Sequence, residues 1–206
     1  MSIADFWNRQ AKRYAASPIN DLAAYEHKLA ETRKLLRPDM QMVEFGCGTG
    51  STAITHAPHV AQILALDVSQ GMLDIAKSKI DDAAIRNITL RCTHVASANL
   101  APNSADIILA MSLLHLLPDY KPALAQFYAT LKPGGYFVSS TACISPYKLH
   151  LKAVISIMRL FGKAPLVRFF GADQLISDTE AAGFTVQTRW QPGPGKAMFV
   201  IARKPG

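Results

Sequence analysis

The 206-residue chain is poor in cysteine, and Cys47, Cys92 and Cys143 share no paired spacing. That excludes a disulfide framework and argues against a cysteine-based zinc site. No apolar run is long enough to span a bilayer. No charged leader followed by an apolar core opens the sequence, so the expected setting is cytoplasmic. Internal repeats and low-complexity segments are also missing. The pair His56 and His59 flanks Pro58, which breaks the helix that would align two imidazoles, and no carboxylate stands nearby, so no metal site is expected. One further absence is local. Between Asp119 and Asp173 there is no acidic residue, whereas Lys121, Lys132, Lys148, Lys152, Arg159, Lys163 and Arg168 all fall there. These seven cations equal the whole net charge of +7, so a negative partner would meet that part of the surface.

What is present is enough apolar sequence, 50% of residues, for one domain with a full core. Residues 1–36 place Phe6, Trp7, Ala11 and Tyr14, then Leu22, Tyr25, Leu29 and Leu36, at helical spacing, with a break at Ser17-Pro18. From residue 41 strands and helices alternate. Expected strands are Met42–Phe45, Ile63–Asp67, Ile88–Cys92, Asp106–Met111 and Tyr136–Thr141; expected helices begin near Ser51, Ser69 and Tyr120. Apolar strands alternating with helices predict a parallel sheet covered on both faces. Phe184–Trp190 and Ala197–Ala202 are joined by Gln191–Gly195, too short for a crossover, so this last pair is antiparallel. The predicted fold is α/β: a doubly wound, mostly parallel seven-stranded sheet with an antiparallel C-terminal hairpin. It divides into a helical arm (1–36), a core (37–142), a helical cap (143–171) and a closing helix and hairpin (172–206).

The stretch Glu44-Phe45-Gly46-Cys47-Gly48-Thr49-Gly50 carries most of the chemistry. An apolar strand runs into three alternating glycines and then into the helix start at Ser51. Missing Cβ atoms let backbone approach a ligand, and a helix N-terminus offers unpaired N–H groups to polar or negative atoms. About 20 residues on, Asp67 ends the next strand, where a carboxylate can accept both hydroxyls of a ribose. The alternative is that Asp67 or Ser69 only caps the following helix. Leu131-Lys132-Pro133-Gly134-Gly135 is expected to be a tight turn before the fifth strand.

Together these landmarks resemble a class I S-adenosylmethionine-dependent methyltransferase. Glu44–Gly50 matches that family's first motif, Asp67 its acidic residue after strand two, and Asp106 and Leu131–Gly135 the later landmarks in order. An NAD-dependent dehydrogenase would need glycine where Ser51 stands. The resemblance implies that S-adenosyl-L-methionine is the cofactor. Glu44, Gly46, Cys47 and Gly48 would face its amino-acid part, Asp67 its ribose, and Val68 and Met72 its adenine. The family often uses an acidic side chain at the adenine edge after strand three. Here His94–Leu100 has none, which leaves Ala96 and Ser97 for that edge. Met111 and Ser112 would line the sulfonium side. His115 is the candidate general base, with a packed structural histidine as the alternative.

The acceptor is read from what is missing around strand four. Met111-Ser112-Leu113-Leu114 lacks the tetrad of exocyclic-amine methyltransferases, and Leu113–Asp119 looks like the small-molecule branch, including enzymes of ubiquinone and menaquinone biosynthesis. The expected activity is in-line methyl transfer to a small apolar acceptor, driven by proximity and orientation, with no nucleic-acid partner. Two other readings stay open: a nucleic-acid methyltransferase exploiting the positive charge, and a protein that binds the cofactor without transferring its methyl. Trp7, Tyr14 and Tyr25 could form a lid or simply be core aromatics. Residues 147–163 put Lys148, Lys152, Ser156, Arg159 and Lys163 on one helical face, and Leu151, Val154, Ile155, Met158 and Phe161 on or beside the other. Such a helix is expected either to close the pocket with its apolar side inward or to lie on an anionic membrane.

Overall fold

The computed structural model describes residues 2–144, 149–193 and 195–206, and the backbone alone of Leu149, Leu151 and Lys152. Two helices come first. α1 (Ile3–Ala16) opens on a capping box, in which the Ser2 hydroxyl accepts from Asp5 N (3.1 Å) and the Asp5 carboxylate from Ser2 N (3.0 Å). α2 (Leu22–Arg33) is capped by Asp21, which accepts from Ala24 N at 3.2 Å. The break between them falls at Ser17-Pro18, as the loss of a helical donor requires.

The alternating region follows: β1 (Gln41–Phe45), α3 (Ser51–His56), β2 (Gln62–Asp67), α4 (Gln70–Asp82), β3 (Ile88–Cys92), β4 (Ala105–Met111), α5 (Lys121–Thr130) and β5 (Leu131–Ala142). Then come α6 (Leu149–Leu160), α7 (Ala172–Ala181), β6 (Thr185–Trp190) and β7 (Ala197–Arg203). The seven strands lie in the order β3-β2-β1-β4-β5-β7-β6. All neighbouring pairs are parallel except β5 with β7 and β6 with β7. The chain winds outward from β1 in one direction and then, from β4, in the other. The crevice beyond the carboxyl ends of β1 and β4 is therefore the topological switch point.

Period-two alternation divides the core. Val43, Phe45, Ile108 and Ala110 face α5 and α7, where Phe45, Phe127, Phe137 and Phe184 form a chain of rings at 4.6, 5.5 and 5.3 Å between centroids. Met42, Ile107, Leu109 and Phe199 face the opposite layer, where Ala53 of α3 and Leu73 of α4 pack on them. α1 lies on α4. Asn8 Oδ1 accepts from Gly71 N (2.9 Å) and from Ser69 Oγ (2.7 Å), so a residue of the arm holds the start of α4.

The Pro-Gly-Gly segment differs from expectation. It is a bulge inside β5, not a turn before it: Leu131 pairs with Ala105 and Tyr136 with Ile107, so Lys132–Gly135 loop out between them. Local anchors replace the lost ladder. Gly134 N donates to Lys204 O at 2.9 Å, and Lys132 Nζ bonds both Asp106 oxygens at 2.8 Å. Those partners, Asp106 of β4 and Lys204 just past β7, are distant in sequence, which is why a turn signal could not foretell the bulge.

Candidate active site

A cavity of about 610 Å³ opens at the carboxyl ends of β1, β2 and β4. The glycine loop forms one wall. Gly46, Gly48 and Gly50 have φ of +69°, +53° and +75°, all in the left-handed region. At Gly46 a Cβ would also stand 2.9 Å from Leu113 Cδ1, so the close approach of the β1 and β4 loops requires glycine. Gly46 N and Cys47 N both donate to Leu66 O (2.7 and 3.0 Å), which ties the loop to the end of β2.

Asp67 lies across from the loop. Its Oδ2 accepts from Gly48 N and its Oδ1 from Ser69 N, both at 2.9 Å. Ser69, not Asp67, caps α4, accepting from Met72 N at 3.1 Å. Backbone thus engages both Asp67 oxygens and leaves acceptor capacity on the carboxylate for a ligand hydroxyl. Burial raises the Asp67 pKa, while backbone bonds from Ser69, Gly48 and Val68 lower it.

Glu44 lies beneath the loop and does not line the cavity. Its residue is 1% exposed and one oxygen, Oε2, has no partner. Burial foremost, and then the field of Asp67, push its pKa up to about 8, against a bond from Ala53 N that lowers it. Among the described residues no cation forms an ion pair with either carboxyl group, an electrostatic deficit that a positive ligand would correct. Burial also drives the Cys47 thiol well above its ordinary pKa, and Cys47 too lies outside the lining.

Of the residues singled out from the sequence, Gly46, Gly48, Asp67, Val68, Met72, Met111, Ser112 and His115 line one cavity. Ala96 and Ser97 are exposed and do not; the rim there is Thr93, His94 and Val95. Because β3 ends at Cys92, these three residues follow the strand directly, a signal the sequence offered. His115 sits in a short 3-10 turn (Leu114–Leu116), its Nδ1 buried without a partner and its pKa lowered to about 4 by desolvation. The imidazole is neutral at pH 7. Trp7 and Tyr14 of α1 reach the cavity, whereas Tyr25 does not.

The cap reverses one expectation. Lys148 lies outside the described residues, as do the side chains of Leu151 and Lys152. Among the rest, Val154, Ile157, Met158, Leu160 and Phe161 are exposed, the last two by 88% and 73%. Arg159 lines the cavity, together with Pro165, Leu166 and Val167 of the segment after α6. Ile155 is half-buried, and among the described side chains of α6 no apolar one lines this cavity. The segment after the helix supplies the apolar wall, and Arg168 N is anchored to His115 O at 2.8 Å. Amphipathic spacing defines two faces but does not say which one turns inward.

Residues 42–135 match the model of a methyltransferase domain. The chain is 26% identical over 161 residues to a ubiquinone biosynthesis O-methyltransferase of Coxiella burnetii, covering 78% of this chain and 66% of that protein. Over 142 residues it is 29% identical to a demethylmenaquinone methyltransferase of Listeria welshimeri, covering 65% and 60%. It thus spans slightly less than two thirds of the length of these curated relatives. A geranyl diphosphate C-methyltransferase from Streptomyces coelicolor, solved with Mg2+, geranyl diphosphate and S-adenosyl-L-homocysteine, superposes with a TM-score of 0.77 at 14% identity, covering 98% of this chain and 96% of that one. In its glycine loop, Asp67 position, sheet order and matched domain, the chain is similar to the class I S-adenosylmethionine-dependent methyltransferases.

Proposed function

We propose that the protein transfers the methyl group of S-adenosylmethionine to a small, largely apolar acceptor. The observation that carries this reading is the pairing of Asp67, with remaining acceptor capacity, and the buried, half-satisfied Glu44 around a glycine loop at the switch point. The cofactor fits that arrangement chemically. Asp67 would accept the ribose hydroxyls, Glu44 would complement the ammonium group from beneath Gly46–Gly48, and Val68, Met72 and Val95 offer an apolar slot for adenine. Bound there, the cofactor supplies an already activated sulfonium methyl.

The protein's task is then to hold the acceptor in line beside Met111 and Ser112, and to exclude water. Ser112 has φ +59° and donates its N–H to Ser140 O at 2.7 Å, which fixes the backbone at this wall. Leu113, Leu116, Leu117 and Pro118 supply apolar surface for the acceptor. His115 is neutral and can accept a proton from a hydroxyl nucleophile as its charge develops. Its pKa of about 4 makes it a weak base, so its larger contribution is orientation. The two quinone-pathway relatives favour a phenol- or quinol-type acceptor. Methyl transfer from labelled cofactor to catechols and quinol precursors, compared with RNA and with small polar acids, tests the reading. Transfer to RNA alone would refute it.

The outward apolar side of α6 supports peripheral membrane contact as the route by which such an acceptor arrives. Val154, Ile157, Met158 and Phe161 fall on one helical stripe beside Lys163, in the acid-free window. Among the described residues no helix is long and apolar enough to cross a membrane, so contact would be interfacial.

A further inference from the structure

Beside the cofactor-sized cavity lies a second one of about 730 Å³. Ile3, Arg159, Pro165 and Leu166 line both, and so form their common boundary. The second cavity adds Arg9, Ser2 and Ser156 to apolar surface from Phe6, Leu160 and Ala164. Its described lining contains two guanidinium groups, two hydroxyl side chains and no carboxylate. Among the described residues no ion pair engages Arg159, and the sequence holds no acid from 120 to 172; the acid of α1 next to this cavity, Asp5, is bonded to Ser2. The first cavity is lined by the Asp67 carboxylate and by the apolar Leu116, Leu117, Pro118 and Val167 as well as by Arg159.

Resting on the methyl-transfer reading, we propose that the acceptor is an amphiphilic anion. Its apolar reacting portion occupies the first cavity, and its carboxylate or phosphate is bonded by Arg159 at the boundary of the two. A guanidinium presents a planar fork of donors that matches both anions bidentately, and it keeps its charge at all working pH values. Arg159 is exposed, so such a pair is partly screened by water and its value lies in selecting and orienting the acceptor. Arg159 is therefore a specificity-determining residue that reads the end of the acceptor opposite the reacting atom.

The test uses the full chain saturated with S-adenosylhomocysteine and titrated calorimetrically with decyl phosphate, decanoate and neutral decanol below their aggregation limits. The wild type is expected to bind the two anions at least about tenfold more tightly than decanol. Arg159→Gln should remove about tenfold or more of that preference while leaving decanol and S-adenosylhomocysteine affinities unchanged. Equal affinity for decanol and decyl phosphate overturns the proposal, as does an Arg159→Gln protein that keeps the preference. Loss of S-adenosylhomocysteine affinity in Arg159→Gln also overturns it, because Arg159 would then serve the cofactor. Sedimentation with phosphatidylglycerol vesicles distinguishes the anion's source. Binding that depends on Arg159 assigns the anion to a lipid headgroup, and binding independent of it assigns a soluble amphiphile. If the wild type binds no S-adenosylhomocysteine, the methyl-transfer reading fails on its own, and the anion-against-decanol comparison is still read on the unliganded protein.

Discussion

Glu44→Gln should change the pH dependence of stability in a defined direction. The unfolded chain releases this proton near the ordinary carboxylate value of 4.5, whereas the folded protein keeps it to about 8. Between those values the native state binds the extra proton, so the stability contributed by neutral Glu44 is fully present below pH 4.5. It is lost as pH rises through 8. The slope is about 1.4 kcal/mol per pH unit, so from pH 5 to pH 7 the wild type should lose ~3 kcal/mol relative to Glu44→Gln. His56 and His115, both lowered to about 4, act with the opposite sign, but they are common to both proteins and cancel in the difference. Urea unfolding of the two proteins at pH 5, 6 and 7, with m-values compared, measures that difference. A difference that stays flat with pH would refute the reasoning, since Glu44 would then be ionised and paired in the unliganded protein. The same argument makes binding release a proton. A cationic ligand group beside Glu44 lowers its pKa, so S-adenosylhomocysteine should release close to one proton at pH 7 from the wild type and about none from Glu44→Gln. Calorimetry in buffers of different ionisation enthalpy reads this directly.

Gly46→Ala should cost about 1–3 kcal/mol in thermal or urea unfolding, from its φ of +69° and the 2.9 Å approach of a new Cβ to Leu113. Adding Leu113→Ala should recover the steric part but not the backbone part. His56 is fully buried with both ring nitrogens unpartnered, so its neutral form contributes stability above its ordinary pKa of 6.5 that is lost as pH falls toward 4. His56→Leu should therefore be about 2 kcal/mol less sensitive than the wild type to a drop from pH 7 to pH 5. Phe161→Ser with Ile157→Ser should abolish sedimentation on anionic vesicles with no change in thermal midpoint beyond a degree or two, because both side chains are already exposed. Retained sedimentation would remove α6 from any membrane contact.

The parts of the fold that follow from local rules were readable in the sequence. Period-two runs located β1 through β4 within a residue or so, and the five-residue link at Gln191–Gly195 required β6 and β7 to be antiparallel. At the site, the strand ends located Gly46, Asp67 and Met111, because side chains at the carboxyl edge of a parallel sheet must converge at the switch point. What escaped depends on contacts between distant segments. Asn8 holding the N-terminus of α4 and the β5 bulge pinned by Lys204 are of this kind, whereas the rim at Thr93–Val95 was signalled by the end of β3 at Cys92. The orientation of α6 escaped for another reason. Its two faces were plain in the spacing, but the apolar wall came from Pro165–Val167, a stretch with no periodicity to announce it.

The central claim is that the crevice between the glycine loop and Asp67 holds S-adenosylmethionine. Calorimetric titration of the wild type and Asp67→Ala with S-adenosylhomocysteine tests it most directly. The account predicts one site per chain with submillimolar affinity, weakened at least about tenfold by removing the charged acceptor of two ribose hydroxyls. Absence of binding at submillimolar concentration, or an Asp67→Ala protein that binds as well as the wild type, would contradict it.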